Sequence, residues 1–434
     1  MPFDFSIDDL GKRLIKSPLK TGNFKDDKTR LLFNSYLDGY RSRTDKKGDP
    51  LSLEIAGPRS NIFFDPAQTR AAIVTCGGLC PGINDVIRSI TTSLYFSYNV
   101  RDVIGIKYGL RGLNPHFGLA PVKLTPETVK DISSIGGSIL STSRGPQDVS
   151  LMVDQLLRLN IDILFCIGGS GTIRAAEEIT AEIKKRKLKI AVVCIPKTID
   201  NDLNLIEKSF GFDTAIEKAA EAIRSAHVEA KGGFNGIGLI KIMGRNAGHI
   251  AAFAALAQND VNFVLIPEVP FEMDGKNGFL ALLKKRMKSR GHAVILAAEG
   301  AGQDLLLKNS DVLEKDPSGN IRLRDIGLFL KNSIADYFKK INVEINLKYI
   351  EPSYLIRSVP ANSSDSIYCN TLGQCAVHAG MAGKTGVLVA LMKDEYVHLP
   401  LSQVASIRKI DPDGEVWLRV LETTGQPASM RNQQ

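Results

Sequence analysis

The chain has 434 residues, is 44% apolar and carries a formal net charge of +8, which is enough length and apolar content for two packed α/β domains. No run approaches the roughly 18 apolar residues of a membrane span, and the start MPFDFSIDDLGKRL places acids where a secretory signal needs a basic stretch and an apolar core. No membrane is therefore expected, and the cytoplasm is the expected location. Lys and Arg are interspersed with Asp and Glu, and no basic run is interleaved with aromatics, so small anionic ligands explain the charge and no nucleic acid is expected.

Residues 1–66 are polar and lack the strand signals that follow, so they read as an N-terminal extension. From Thr69 onward, apolar runs alternate with stretches of helical periodicity, the signature of a mostly parallel sheet covered by helices. The predicted strands are Ala71–Cys76, Asp102–Lys107, Ile161–Ile167, Ile190–Ile195, Gly238–Ile242, Asn262–Ile266, Ala293–Ala297 and Val387–Leu391. Helices fill most of the gaps, one of them beginning near Asn84. The expected fold class is α/β: two Rossmann-like domains with mostly parallel sheets and helices on both faces, plus the N-terminal extension.

Almost every apolar run ends in a polar turn, most of them containing glycine: CGGLCPG, YGLRG, IGGSGT, PKTIDND, MGRNAG, PE at Pro267–Glu268, AEGAG. In open α/β sheets ligands bind beyond the carboxyl ends of the strands, so these turns are expected to converge on a ligand crevice. Gly77 and Gly78 leave a strand and precede a helix, where amides and the helix dipole can meet a phosphate. Gly169, Ser170, Gly171 and Thr172 form a second such turn, without the lysine of a Walker A loop.

The ordered set GGLCPG, STSRG at Ser141–Gly145, GGSGT, PKTIDND, KIMGRNAG at Lys241–Gly248, AEGAG at Ala298–Gly302 and PSYLIR at Pro352–Arg357 resembles the 6-phosphofructokinases. The likeness covers roughly Ala56 to Leu391. It is strongest to the atypical ATP-using branch, where AGPR and IFFDP precede the first strand as at Ala56–Arg59 and Ile62–Pro66. The resemblance implies transfer of a phosphoryl group from ATP to the 1-hydroxyl of fructose 6-phosphate with Mg²⁺, giving fructose 1,6-bisphosphate and ADP. It also implies a donor domain of residues 67–211 with 357–400, a sugar-phosphate domain of residues 212–356 with 401–434, and a sugar site between them.

Residue by residue, the resemblance makes Asp200 the general base. It places Thr198, Ile199, Met243, Gly244, Arg245, Glu299 and the stretch Tyr354, Leu355, Ile356, Arg357 at the sugar phosphate. Guanidinium groups suit that anion because they can form two parallel hydrogen bonds to it. Gly77, Gly78, Arg144, Gly145, Gly169, Ser170, Gly171 and Thr172 are expected to face the nucleotide. Homodimers or homotetramers are implied, with Lys348 reaching a neighbour's sugar phosphate, while Gly236 stands where another such arginine would be.

Two positions bear on the donor. Gly171 leaves room for the α-phosphate of ATP where pyrophosphate-using relatives carry an aspartate. Lys197 is shared with those relatives and leaves a pyrophosphate-dependent enzyme as the alternative. The family's GGDGT turn reads GGSGT here, so Ser170 replaces a magnesium-binding aspartate. A neutral hydroxyl is a weaker ligand for a hard cation, which leaves Asp202, Asp85 and Asp200 as metal contacts and a weakly active or regulatory paralogue as a further alternative.

Overall fold

The computed structural model describes residues 3–36, 44, 48–307, 314, 321–404 and 406–432. The chain forms two compact units. The first comprises Met1–Thr198, Leu203–Gly211 and Ser358–Ile407; the second comprises Ile199–Asp202, Phe212–Arg357 and Arg408–Gln434.

The first unit is built on a nine-stranded sheet in the order Arg30–Leu32, Ser52–Ile55, Glu395–Pro400, Val387–Met392, Ala191–Pro196, Ile163–Gly168, Arg70–Thr75, Asp102–Ile106, Val122–Lys123. The five strands from Val387–Met392 to Asp102–Ile106 run parallel. Ile163–Gly168 and Ala191–Pro196 are buried at every position, as continuous apolar runs must be when helices cover both faces. Leu164 and Cys166 share a core with Met152, Leu156, Ile173 and Ile179 of the helices Val149–Arg158 and Ser170–Lys185. On the other face, Gly380 of the helix Ser363–Met381 packs so tightly that a Cβ would lie 2.8 Å from Ile163.

All eight predicted strands are present, with ends shifted by a residue or two. The N-terminal segment differs from its reading as an extension without strands. Arg30–Leu32 and Ser52–Ile55 pair antiparallel with each other, and Ser52–Ile55 extends the sheet through Glu395–Pro400. These strands are three and four residues long, too short for periodicity to register. A buried charge network fixes the segment in place: Glu54 accepts from Arg59 at 2.7 Å and Lys384 at 2.9 Å and pairs with His398 Nδ1 at 2.9 Å, while Arg59 also reaches Asp27 at 2.8 Å. Burial by itself would raise the Glu54 pKa, but the hydrogen bond to His398 and the charges of His398 and Lys384 bring it down to about 2. The six cysteines are all buried and free.

The second unit holds a four-stranded parallel sheet in the order Phe263–Leu265, His292–Ala298, Gly236–Ile242, Asn346–Ile350. Phe279, Leu283, Ile326, Leu330 and Phe338 cover one face. The helix Phe212–Gly232 lies on the other, so close that a Cβ at Gly236 would fall 1.9 Å from the Ala230 carbonyl. Only glycine fits there, which explains why no arginine stands at Gly236. The strand Asn346–Ile350 was not anticipated; its pattern N-L-K-Y-I alternates on a sheet edge and carries charge. Residues 401–434 divide: the helix Leu401–Val404 lies in the first unit, and Arg408–Gln434, with the helix Glu415–Thr424, in the second.

Candidate active site

In the first unit, three strand-end turns are joined through their backbones. Gly77, at φ +83°, donates its N–H to the Ser143 carbonyl at 3.1 Å. The Thr75 hydroxyl donates to the Ser141 carbonyl at 2.7 Å, so the STSRG segment carrying exposed Arg144 and half-buried Gly145 lies against the first glycine turn. Lys197 is buried, and its Nζ donates to the Gly78 carbonyl at 2.7 Å, while its N–H donates to the Gly168 carbonyl at 3.0 Å. The helix Ser170–Lys185 follows Gly169, which has no side chain to cap it. Its first turn therefore presents amide groups and the positive end of the helix dipole without a competing protein carboxylate.

Gly171 decides how much room is left at that turn. A Cβ added there would meet nothing within 4 Å, so a side chain would enter open space and start without a clash against the protein's own packing. Thr172 behaves differently from its neighbours. It is buried with its side chain against Gly168, where a Cβ would fall 2.1 Å from its hydroxyl, so it props the turn from behind while Gly169–Gly171 present its surface. Asp85 accepts a hydrogen bond from Ser366 at 3.0 Å and ties two helices together.

In the second unit, the turns MGR and AEGAG are stitched together. Glu299 N–H donates to the Ile242 carbonyl at 2.8 Å and Gly300 N–H to the Gly244 carbonyl at 3.1 Å. Gly244 sits at φ +137°, and a Cβ there would meet the Ala247 carbonyl at 2.9 Å, so the turn needs glycine. Glu299 is thereby placed among cations: burial raises its pKa, and the fields of Arg245, Lys241 and Arg357 oppose that rise. With Arg245, Lys241 and Arg357 on one side of the balance and Glu351 on the other, Glu299 is a carboxylate among cations, a set able to accept sugar hydroxyls and hold a phosphate dianion.

Arg357 lies over the Tyr354 ring at 4.8 Å. Tyr354 and Leu355 are exposed at 65% and 72%, whereas Ile356 is fully buried, so the Ile356 side chain anchors the turn in the core. Met243 is half-buried beside Gly244. Lys348 is exposed on the Asn346–Ile350 strand, which lies at the edge of its sheet. The PKTIDND turn divides between the units at Thr198 and Ile199. Thr198 offers its carbonyl to the Ser209 hydroxyl at 2.5 Å. Ile199 is buried, Asp200 and Asp202 are half-buried, and Asn201 takes a left-handed φ of +49°. Asparagine tolerates that conformation, and such residues concentrate at functional turns.

The phosphofructokinase family model matches residues 70–380. The chain belongs to the phosphofructokinase family. The ATP-dependent 6-phosphofructokinase of Borreliella burgdorferi is 48% identical over 99% of this chain and 98% of that protein. Among solved structures, the pyrophosphate-dependent phosphofructokinase of Marinobacter aquaeolei superposes with a TM-score of 0.67 at 18% identity, covering 82% of this chain and 91% of that one. A Pichia pastoris phosphofructokinase superposes with a TM-score of 0.63 at 19% identity over 84% of this chain, which spans only 38% of the yeast protein's length. At these identities the structures establish the shared fold alone.

Within this phosphofructokinase fold, several polar residues around the turns escaped the motif reading. Lys241 bridges Glu351 at 2.9 Å and Asp325 at 3.0 Å, and these partners raise its pKa despite burial. Glu351 also accepts from Tyr349 at 3.0 Å and Ser353 at 2.8 Å, which sets the start of the turn leading to Arg357. The available signal was a lysine interrupting the apolar strand GIGLIKI. His249 and Arg408 touch the Asp200 turn and carried no comparable signal, while Glu268, in the strand-end turn PE, links their segments through Gly248 and Ile410.

Proposed function

We propose that the enzyme transfers the terminal phosphoryl group of ATP to the 1-hydroxyl of fructose 6-phosphate, forming fructose 1,6-bisphosphate and ADP in glycolysis. The observation that carries this reading is the 48% identity with an ATP-dependent 6-phosphofructokinase along essentially the whole of both chains. The open space at Gly171 supports ATP as donor. Lys197, the feature favouring pyrophosphate, has a separate task in shaping the glycine turn through Gly78.

In this reading the turns Gly77–Gly78, Arg144–Gly145 and Gly169–Gly171 hold the nucleotide phosphates. Arg245 and Arg357 hold the 6-phosphate, and Glu299 accepts from sugar hydroxyls, with Met243, Gly244, Thr198, Ile199, Tyr354 and Leu355 around the sugar. The sugar 1-oxygen attacks the γ-phosphorus, the bond from that phosphorus to the ADP oxygen breaks, and the hydroxyl proton passes to the Asp200 carboxylate. A carboxylate with an ordinary pKa near ~4 is a weak base towards an alcohol, so the proton moves late, once the new P–O bond is forming.

Among the described residues, no three His, Cys, Asp or Glu side chains gather into a metal cage. The Ser170 hydroxyl at the start of its helix is a neutral oxygen donor, which fits a Mg²⁺ held mainly by waters and substrate phosphates; Ser170 would hold it at the nucleotide turn, and when bound it would neutralise phosphate charge. The enzyme is proposed to be a cytoplasmic homodimer or homotetramer; among the described residues, no helix is long and apolar enough to cross a membrane.

The test is a coupled assay of fructose 1,6-bisphosphate formation with ATP or pyrophosphate, on wild type and Ser170→Asp in parallel. Turnover with ATP in wild type is the expected outcome. Silence with ATP, relieved by Ser170→Asp, would instead identify a protein that kept its ligands and lost its metal.

A further inference from the structure

The turn bearing Asp200 is held by a ring of polar contacts from distant parts of the second unit. Arg408 Nη2 donates to the Asn201 carbonyl at 2.9 Å, and Arg408 N–H donates to the Asp202 carbonyl at 2.7 Å. Two residues on, Ile410 N–H donates to Glu268 Oε1 at 2.9 Å. Both oxygens of Glu268 also accept from Gly248 N–H, at 3.0 and 3.1 Å. Gly248 caps the helix His249–Ala257. His249 is 5% exposed and closes the ring through a hydrogen bond with the Asp200 backbone.

Several features make this ring more than general packing. It grips both peptide carbonyls that follow Asp200, and it spans a turn whose left-handed Asn201 would relax if unsupported. Glu268 fixes two segments at once because its carboxylate accepts from both Gly248 and Ile410.

We propose that Arg408, braced through the Ile410–Glu268–Gly248 contacts, is a positioning residue that aims the Asp200 carboxylate at the sugar hydroxyl. The inference rests on the assignment of Asp200 as base. Misplacing a catalytic group by about 1 Å can cost of order 10²-fold in rate, whereas the groups assigned to the phosphates, Arg245, Arg357 and the glycine turns, lie in other turns. The signature is therefore a fall in kcat with little change in either KM.

The experiment is a kinetic double-mutant cycle on the full chain with Arg408→Met and Asp200→Asn. Arg408→Met is expected to lower kcat by about 10- to 100-fold, to leave KM for fructose 6-phosphate and ATP within about 3-fold, and to lose its effect in the Asp200→Asn background. Arg408→Lys, which retains one donor for the Asn201 carbonyl, should recover part of the rate. Equal losses in both backgrounds, or unchanged kcat in Arg408→Met, would overturn the inference. Wild-type turnover in Asp200→Asn by itself would fell the assignment of the base, and the inference with it. Should Arg408→Met not fold, Arg408→Lys and Glu268→Gln run through the same cycle decide by the same criteria.

Discussion

The proposed donor turns of the first unit and the proposed sugar site of the second would bind phosphate by different means. Around Gly77, Gly78, Gly169 and Gly171 the surface is, apart from Arg144, largely backbone, shaped by the positive φ of Gly77, absent Cβ atoms and an uncapped helix start. Around Glu299 the surface is side chain, with Arg245, Lys241 and Arg357 acting on one half-buried carboxylate. A backbone site is defined by which atoms are missing and tolerates no added bulk. A side-chain site is defined by charge, and its affinity follows the protonation and positioning of a few long side chains. The first should fail by obstruction and the second by loss of attraction.

The sharpest test of this contrast is Gly171→Asp. An added carboxylate would face a triphosphate, and like charges in close juxtaposition cost several kcal/mol, so kcat/KM for ATP should fall by roughly 100-fold or more. Because a Cβ there meets nothing within 4 Å, thermal stability and KM for fructose 6-phosphate should stay close to wild type. Undiminished ATP activity would refute obstruction as the basis of donor choice.

On the sugar side, Arg357→Ala removes a charge-assisted contact of about 1.5–3 kcal/mol. KM for fructose 6-phosphate should rise roughly 10- to 100-fold, with KM for ATP unchanged. Equal changes in both constants would show that the pocket is not confined to one substrate.

The pH dependence should also separate the two regions. Burial raises the Glu299 pKa, and in the proposed role the ionised carboxylate is the stronger acceptor. KM for fructose 6-phosphate should therefore rise as pH falls, starting above the usual carboxylate range, while the backbone-built nucleotide turns contribute no matching limb. The limb should vanish in Glu299→Gln, and its persistence there would reassign it to another group. Smallest is Lys348→Ala: an exposed lysine at a sheet edge holding a neighbour's sugar phosphate should raise that KM only about 3-fold, because exposed charges are screened. An unchanged value would remove Lys348 from the site.

The chain's linear order determined the parallel core strands and the turns that close them. Continuous apolar runs such as ILFCIG and AVVCIP can only be strands buried on both faces, and glycines at their ends mark places where backbone must stay bare. Ligand-facing residues of that kind are local, so a motif reports them. The N-terminal strands, the Glu54 network, the Lys241–Glu351 bridge and the Arg408 ring gather residues separated by tens to hundreds of positions. An isolated Arg408 looks like any surface charge, because its role comes from partners that only folding supplies. Tertiary structure likewise turned Thr172 inward and left Gly171 facing open space, although both lie in one five-residue turn. The helix beginning at Ser170 rotates successive residues by about a quarter turn, so neighbours in sequence meet opposite environments.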